Sequence, residues 1–327
     1  MSEAEEPSTA KAPFDNPEGD IILQSKDGVN FHVFKFILSL VSDVFKTMFT
    51  LPQDTKQSDV SSVPIIPLAE NSIILESLLL LCYPATIPTF WTFKEAKAVL
   101  EAARKYDIGV AVNSARDLVF AQFLETKPLE LYALSCLFGW KWHAQMAAKR
   151  TLQINLKDPG RSGYEFAGMK DITAFDYHKL LIYHNDCGIA AQAVGESLTW
   201  LTSTIENRNM CMWRCAKPAR LEATCNSIAT RKIQIANFGA LLITSWFDEY
   251  LTSSGKELYA RPCESTIWSV HGRVANNCAI TKAIACASCR VNVTDHMELF
   301  RTMYAAQVQK VVADVRPLHS PSNSKHT

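Results

Sequence analysis

Neither sign of charge is in excess in this 327-residue chain: 33 Lys and Arg balance 33 Asp and Glu. A neutral protein sets up no overall field to gather nucleic acid or an anionic membrane surface, so neither is an expected partner. Long apolar runs are missing too. The longest, Ile73 to Tyr83, is interrupted by Glu76 and Ser77 and falls far short of the roughly 20 residues that cross a bilayer. The opening MSEAEEPSTAKAPFDNPEGD lacks the basic and apolar blocks of a secretory signal. It reads as a disordered acidic arm over residues 1–18, and an intracellular setting, cytoplasmic or nuclear, is expected. Catalytic signatures are also missing: no G-x-G-x-x-G, P-loop or H-E-x-x-H occurs. Gly195-Glu196-Ser197-Leu198-Thr199 lacks the second glycine of a nucleophile elbow. The chain is expected not to be an enzyme.

What is present is apolar bulk and clustered cysteine. Hydrophobic residues make up 48% of the chain, enough to bury two or three cores. From Asp20 the stretch DIILQSKDGVNFHVF sets Asp27-Gly28 between two apolar runs, which predicts a β-hairpin. KFILSLVSDVFKTMF follows at helical spacing, broken at Ser42-Asp43, where a second helix can be capped. VPIIP suits a short strand. Asn71 caps a predicted helix over 72–82, Thr92 and Glu95 form a capping box for a helix to about Tyr106, and another helix spans 110–123.

Beyond this α+β unit the pattern becomes helical. Two helical periods flank Gly139, a turn falls at Asp158-Pro159-Gly160, and Thr173 with Asp176 caps a helix that Gly188 is expected to end, followed by a last helix over 189–201. From Met210 the character changes again, with clustered cysteines, the alternating RKIQIA, and helices near 238–258 and 295–312. The expected organisation is an arm over 1–18, an α+β domain over 19–125, a mostly α-helical extension over 126–204, a small Cys-rich, mostly helical C-terminal domain over 205–313, and a disordered tail over 314–327.

DGVNFHVFKFILSLVSDVFKTMFTLPQ (27–53), VPIIPLAENSIILESLLLLCYP (63–84), the preceding Asp20 and the later AKAVLEAARKYDI together resemble the BTB/POZ domain. More closely, the first two stretches resemble the BTB-containing proteins abundant in basidiomycete fungi. Where many BTB domains carry His-Lys, this chain has Phe34-Lys35. The resemblance implies short strands with a helical stack, and a homodimer face supplied by the hairpin and first helices. Phe31, Phe34, Phe36, Ile37 and Leu40 are the candidate interface residues. It also implies a non-enzymatic protein–protein interaction module, acting as adaptor or scaffold. Two alternatives stay open: a cullin-type ubiquitin-ligase substrate adaptor, with Phe93-Lys94-Glu95 as an apolar-x-acidic element, and an unrecognised enzyme using C-terminal Cys and His residues. The Thr92-Glu95 capping box accounts for the glutamate without a cullin.

Eight of the ten cysteines lie between Cys187 and Cys289. Cys211 and Cys215, with Cys286 and Cys289, form two short-spaced pairs of the kind a tetrahedral structural zinc site uses. The bland alternative is that they fill a core as small apolar side chains. Cys225, Cys263, Cys278 and His271 are rival ligands. A redox role for Cys286-Ala287-Ser288-Cys289 lacks the preceding strand of a thioredoxin unit. His178 and His184 read as the polar edge of a helix, and Trp142 as a packing residue. Trp140, Lys141 and Trp142 lack the surrounding basic residues of a nucleic-acid stacking site.

Overall fold

The computed structural model describes residues 8–51, 63–83, 88–157, 166, 168–201, 210–213, 231–236 and 239–316. The chain divides into two compact units, Met1–Lys127 and Pro128–Thr327.

In the first unit the Asp27-Gly28 signal is realised. β1 (Ile21–Gln24) pairs antiparallel with β2 (Asn30–Val33) in a register running from Ile21 opposite Val33 to Gln24 opposite Asn30. Gly28 takes the positive φ, +82°, that this turn demands. β3 (Ile65–Pro67) adds parallel to β1, giving the order β2-β1-β3. Strand alternation sends Ile21, Leu23, Phe31 and Val33 into the core. α1 (Lys35–Val41) and α2 (Asp43–Thr50) meet at Ser42, whose extended backbone breaks the helix. Next come α3 (Ser72–Leu80), α4 (Phe93–Lys105) and α5 (Gly109–Phe123). Asn71 caps α3 by accepting from the Ile74 N–H at 3.0 Å, and both halves of the Thr92/Glu95 box close on α4.

The expected disordered arm needs correcting from residue 8 onward; residues 1–7 lie outside the described residues. Asn30 N donates to the Ser8 carbonyl (2.7 Å), Ala10 N to the Asn30 carbonyl (2.9 Å) and His32 N to the Phe14 carbonyl (2.9 Å). The arm thus runs along β2 and satisfies backbone groups that an edge strand would leave open. Phe14 is fully buried, its ring 5.9 Å from that of Phe31 and 5.4 Å, edge-on, from that of Tyr83. One aromatic side chain outweighs the polar composition around it.

The second unit opens with α6 (Pro128–Phe138) and α7 (Lys141–Thr151), joined through Gly139 at φ +70°. α8 (Ala174–Glu196) starts at the Thr173 cap as expected but runs straight through Gly188. That glycine is a packing residue rather than a helix end. A Cβ on it would lie 2.5 Å from Lys157 Nζ and 2.6 Å from the Tyr259 carbonyl oxygen. Lys157 Nζ donates to that same carbonyl at 2.9 Å. After α8, β4 (Lys232–Ile235) pairs antiparallel with β5 (Gly239–Leu242). The remaining helices are α9 (Ser245–Ala260), α10 (Ser265–Trp268), α11 (Val270–Ile284) and α12 (Val293–Asp314).

Val194 in the last turn of α8 and Leu198 just beyond it share one core with Phe247, Tyr250, Phe300 and Tyr304. A boundary at 204/205 is therefore not where this unit divides: a helix of about 34 Å carries the extension into the core of the later helices, and the change in composition does not follow that packing. The expected turn at 158–160 and the tail from 317 lie outside the described residues. Among the described residues no helix is long and apolar enough to cross a membrane.

Two further expectations reverse. Trp142 is 71% exposed, because Ala144, Ala147, Ala148 and Thr151 set the inward face of α7 on the opposite side. Trp140 instead stacks on Phe138 at 4.7 Å. His178 is exposed, but His184 is buried, with Nε2 2.9 Å from the Ile154 carbonyl oxygen. Burial pushes His184 down to about 4 from its ordinary 6.5, opposed by the Ile154 hydrogen bond and aided by the Lys157 charge. Over that window the unfolded chain binds the proton and the folded chain does not. Stability is complete above pH 6.5 and is lost as pH falls toward 4, by about 3 kcal/mol. Melting of wild type and His184→Gln across this range should show the wild type alone losing that increment; parallel curves would refute it.

Candidate interaction surface

α1 is the short element on which an outward face is built. Leu38 points into the core, while Phe36 and Leu40, one helical turn apart, are 76% and 75% exposed. Phe34 and Ile37 are half-buried beside them. Phe31, expected with this set, belongs to the core, because β2 alternation places it inward next to Phe14. Isolated exposed apolar residues are ordinary on protein surfaces. Two large ones side by side on a helix held at both ends are not.

The holding is specific. Phe34 offers α1 no side-chain cap, so the Lys35 N–H donates to Asp20 Oδ1 (2.7 Å) and the Phe34 N–H to the Tyr83 hydroxyl (2.8 Å). At the other end the Ser42 hydroxyl accepts from the Phe45 N–H and donates to the Tyr106 carbonyl. Tyr106 stacks on Phe45 at 4.8 Å, and its hydroxyl donates to Glu70, which also pairs with Lys105 at 2.8 Å. Burial by itself would raise Glu70, but the hydrogen bonds from Lys105 and Tyr106, with the Lys105 charge, hold it below the usual carboxylate value. Burial, then donation to Glu70, pushes Tyr106 up to about 12. The outward residues of α1 are thus presented on a frame tied to α4.

Phe93-Lys94-Glu95 is spent on the fold. Glu95 accepts from the Thr92 N–H (2.9 Å), its own N–H donates to Thr92 Oγ1 (3.2 Å), and Phe93 packs edge-on against Phe123 at 5.6 Å. Just before this box Trp91 is 87% exposed, a feature that no periodicity in the sequence marks.

Compared with known families, residues 15–121 match the BTB/POZ domain. This segment is a BTB/POZ domain. No curated protein matches the chain. A BTB/POZ domain mediates protein–protein interactions, which gives the exposed face of α1 a family context. The hairpin, α1, α2 and the α3–α5 stack all fall within the matched BTB/POZ residues or end two residues beyond them.

In the second unit, Cys215 and Cys225 lie outside the described residues. Cys211, Cys286 and Cys289 are brought together: all three are buried, and the Cys289 thiol shares hydrogen bonds with both others. The hydrogen bond with Cys211, then burial and the contact with Cys286, raise Cys289 well above the usual thiol range. Cys211 N donates to His296 Nδ1 at 3.1 Å. Among the rivals, Cys263 is engaged with the Ser265 and Thr266 hydroxyls at 3.2 Å, and Cys278 and His271 are exposed. Among the described residues no group of three or more His, Cys, Asp or Glu side chains is placed so that it could hold a metal ion.

A groove of about 390 Å³ between α9 and α11 is lined by His271 and Cys278 together with Glu249. Those two potential catalytic groups sit about 10.5 Å apart along one helix, too far for a base to reach a thiol. Glu249 is ion-paired with Lys282.

Proposed function

We propose that the protein is a non-enzymatic interaction module that self-associates through the α1 face of its BTB/POZ domain and acts as an adaptor or scaffold. The observation that carries this reading is the pair Phe36 and Leu40, exposed on a helix pinned by Asp20, Tyr83 and Ser42. A standard interface removes on the order of 800 Å² of surface per subunit, and a pair of large apolar side chains supplies the centre of such a patch. Half-buried Phe34 and Ile37 would complete the desolvated rim. Size-exclusion chromatography with light scattering at micromolar concentration should return a dimer; a well-folded monomer would overturn the reading.

The cullin-adaptor alternative lacks a comparable support, since Phe93 and Glu95 are both engaged inside the domain. The enzyme alternative fares no better, because His271 and Cys278 are separated along α11. We retain the narrower likeness to basidiomycete BTB-containing proteins, carried by residue spacing over 27–53 and 63–84. Among the described residues the eight cysteines form no disulfide, which fits a reducing, cytoplasmic or nuclear setting.

A further inference from the structure

We propose that the groove between α9 and α11 binds an elongated small molecule with one anionic head and an apolar body, such as a medium-chain carboxylate. Its volume, about 390 Å³, falls in the range of about 300–1,000 Å³ that small-molecule sites occupy. Most of its wall is apolar: Tyr250 comes from α9, and Val274, Ala275 and Ala279 come from α11. Val274 is 57% exposed, so this wall meets water that a ligand's apolar body would displace.

The charges around the rim select the sign of the head. α9 and α11 are joined by the short segment 261–269, and Glu249 early in α9 pairs with Lys282 late in α11, so the two helices run antiparallel. Lys256, late in α9, is thereby brought to the same end of the groove as His271, in the first turn of α11. Both rim carboxylates are already taken, Glu249 by Lys282 and Glu257 by Arg261 at 2.8 Å. Lys256 and His271 are exposed and have no carboxylate partner among the described residues. An incoming anion therefore meets two nitrogen donors and displaces no ion pair.

A third cation lies behind that end. Arg301 is 7% exposed, and its Nη2 donates to the Ile267 carbonyl at 2.7 Å. Gly272, next to His271, packs on the same carbonyl so closely that a Cβ would lie 2.2 Å from its oxygen. Arg301 has no carboxylate partner among the described residues, so its buried charge adds to the field that attracts an anion there. Trp246 lines the opposite end, 3% exposed, and its Nε1 has no hydrogen-bond partner among the described residues. A buried unpaired N–H is costly, and a ligand acceptor that reached it would relieve that cost. Lys256 lies about 15 Å along α9 from Trp246, so a ligand headed at Lys256 and extending toward this N–H is long and narrow.

The test titrates the full chain with decanoate by isothermal calorimetry, with 1-decanol as the uncharged counterpart. Saturable binding of about one decanoate per chain is expected, with decanol at least about tenfold weaker. Lys256→Glu combined with His271→Glu should weaken decanoate binding at least about tenfold. Val274→Glu, which puts a charge on the apolar wall, should do the same. All three positions are exposed, so the circular dichroism of these variants should match wild type. Phe36→Glu with Leu40→Glu, in the first unit, should leave decanoate binding unchanged, which separates the groove from the α1 face. Folded wild type with no saturable decanoate binding overturns the proposal. Equal affinity for decanol, or binding that survives the reversal of rim charge, overturns it as well.

Discussion

Phe36→Glu combined with Leu40→Glu should leave the BTB/POZ domain folded and turn the proposed dimer into a monomer, with the dissociation constant raised about a hundredfold or more. Both side chains are about three-quarters exposed in the single chain, so changing them removes almost no packing, and surface changes of this kind usually stay within about 0.5 kcal/mol of wild-type stability. Association is another matter. Burying one large apolar side chain contributes about 1.5–3 kcal/mol. A twofold interface uses each position twice, and charge placed at its centre must be desolvated without a partner. A total of about 3 kcal/mol, a modest share of those terms, is already a factor above one hundred. Light scattering across a dilution series measures this, with circular dichroism as the check on folding. An unchanged dimer would move the interface away from α1. Trp91, 87% exposed, would then be the next position to substitute.

Phe14→Ala is the second large effect, expected to cost about 3–5 kcal/mol of first-unit stability, the usual range for emptying a fully buried phenylalanine site. The ring packs against Phe31 and Tyr83, and Tyr83 in turn accepts the Phe34 N–H at the start of α1. The cavity therefore opens beside a group that holds the proposed dimer face. Urea unfolding should show a lower midpoint with little change in slope, and dimerisation should weaken only as folding is lost. A midpoint equal to that of wild type would mean that the arm adds nothing to the domain.

Several elements were legible because the interactions that make them span only a few residues. Asp27-Gly28 sets its own turn, Asn71 caps the helix beginning beside it, and Thr92 and Glu95 close their box across three positions. These are contacts between near neighbours, so residue type and spacing carry nearly all the information. The candidate interface was legible in part. Helical spacing groups Phe36, Ile37 and Leu40 on α1, but only burial by the rest of the domain decides that Phe36 and Leu40 meet water while Leu38 turns inward. Phe31 went to the core for the same reason.

By itself, then, the sequence determined the local elements, the helical character of the second unit and the BTB/POZ pattern over its first part. Only the tertiary structure decided where Phe14 docks, why Gly188 sits within α8 rather than at its end, that His184 is buried, and that Cys211 meets Cys286 and Cys289. Each of these depends on groups distant along the chain. Neither composition nor periodicity records such neighbours, because their approach is set by how whole helices and strands pack.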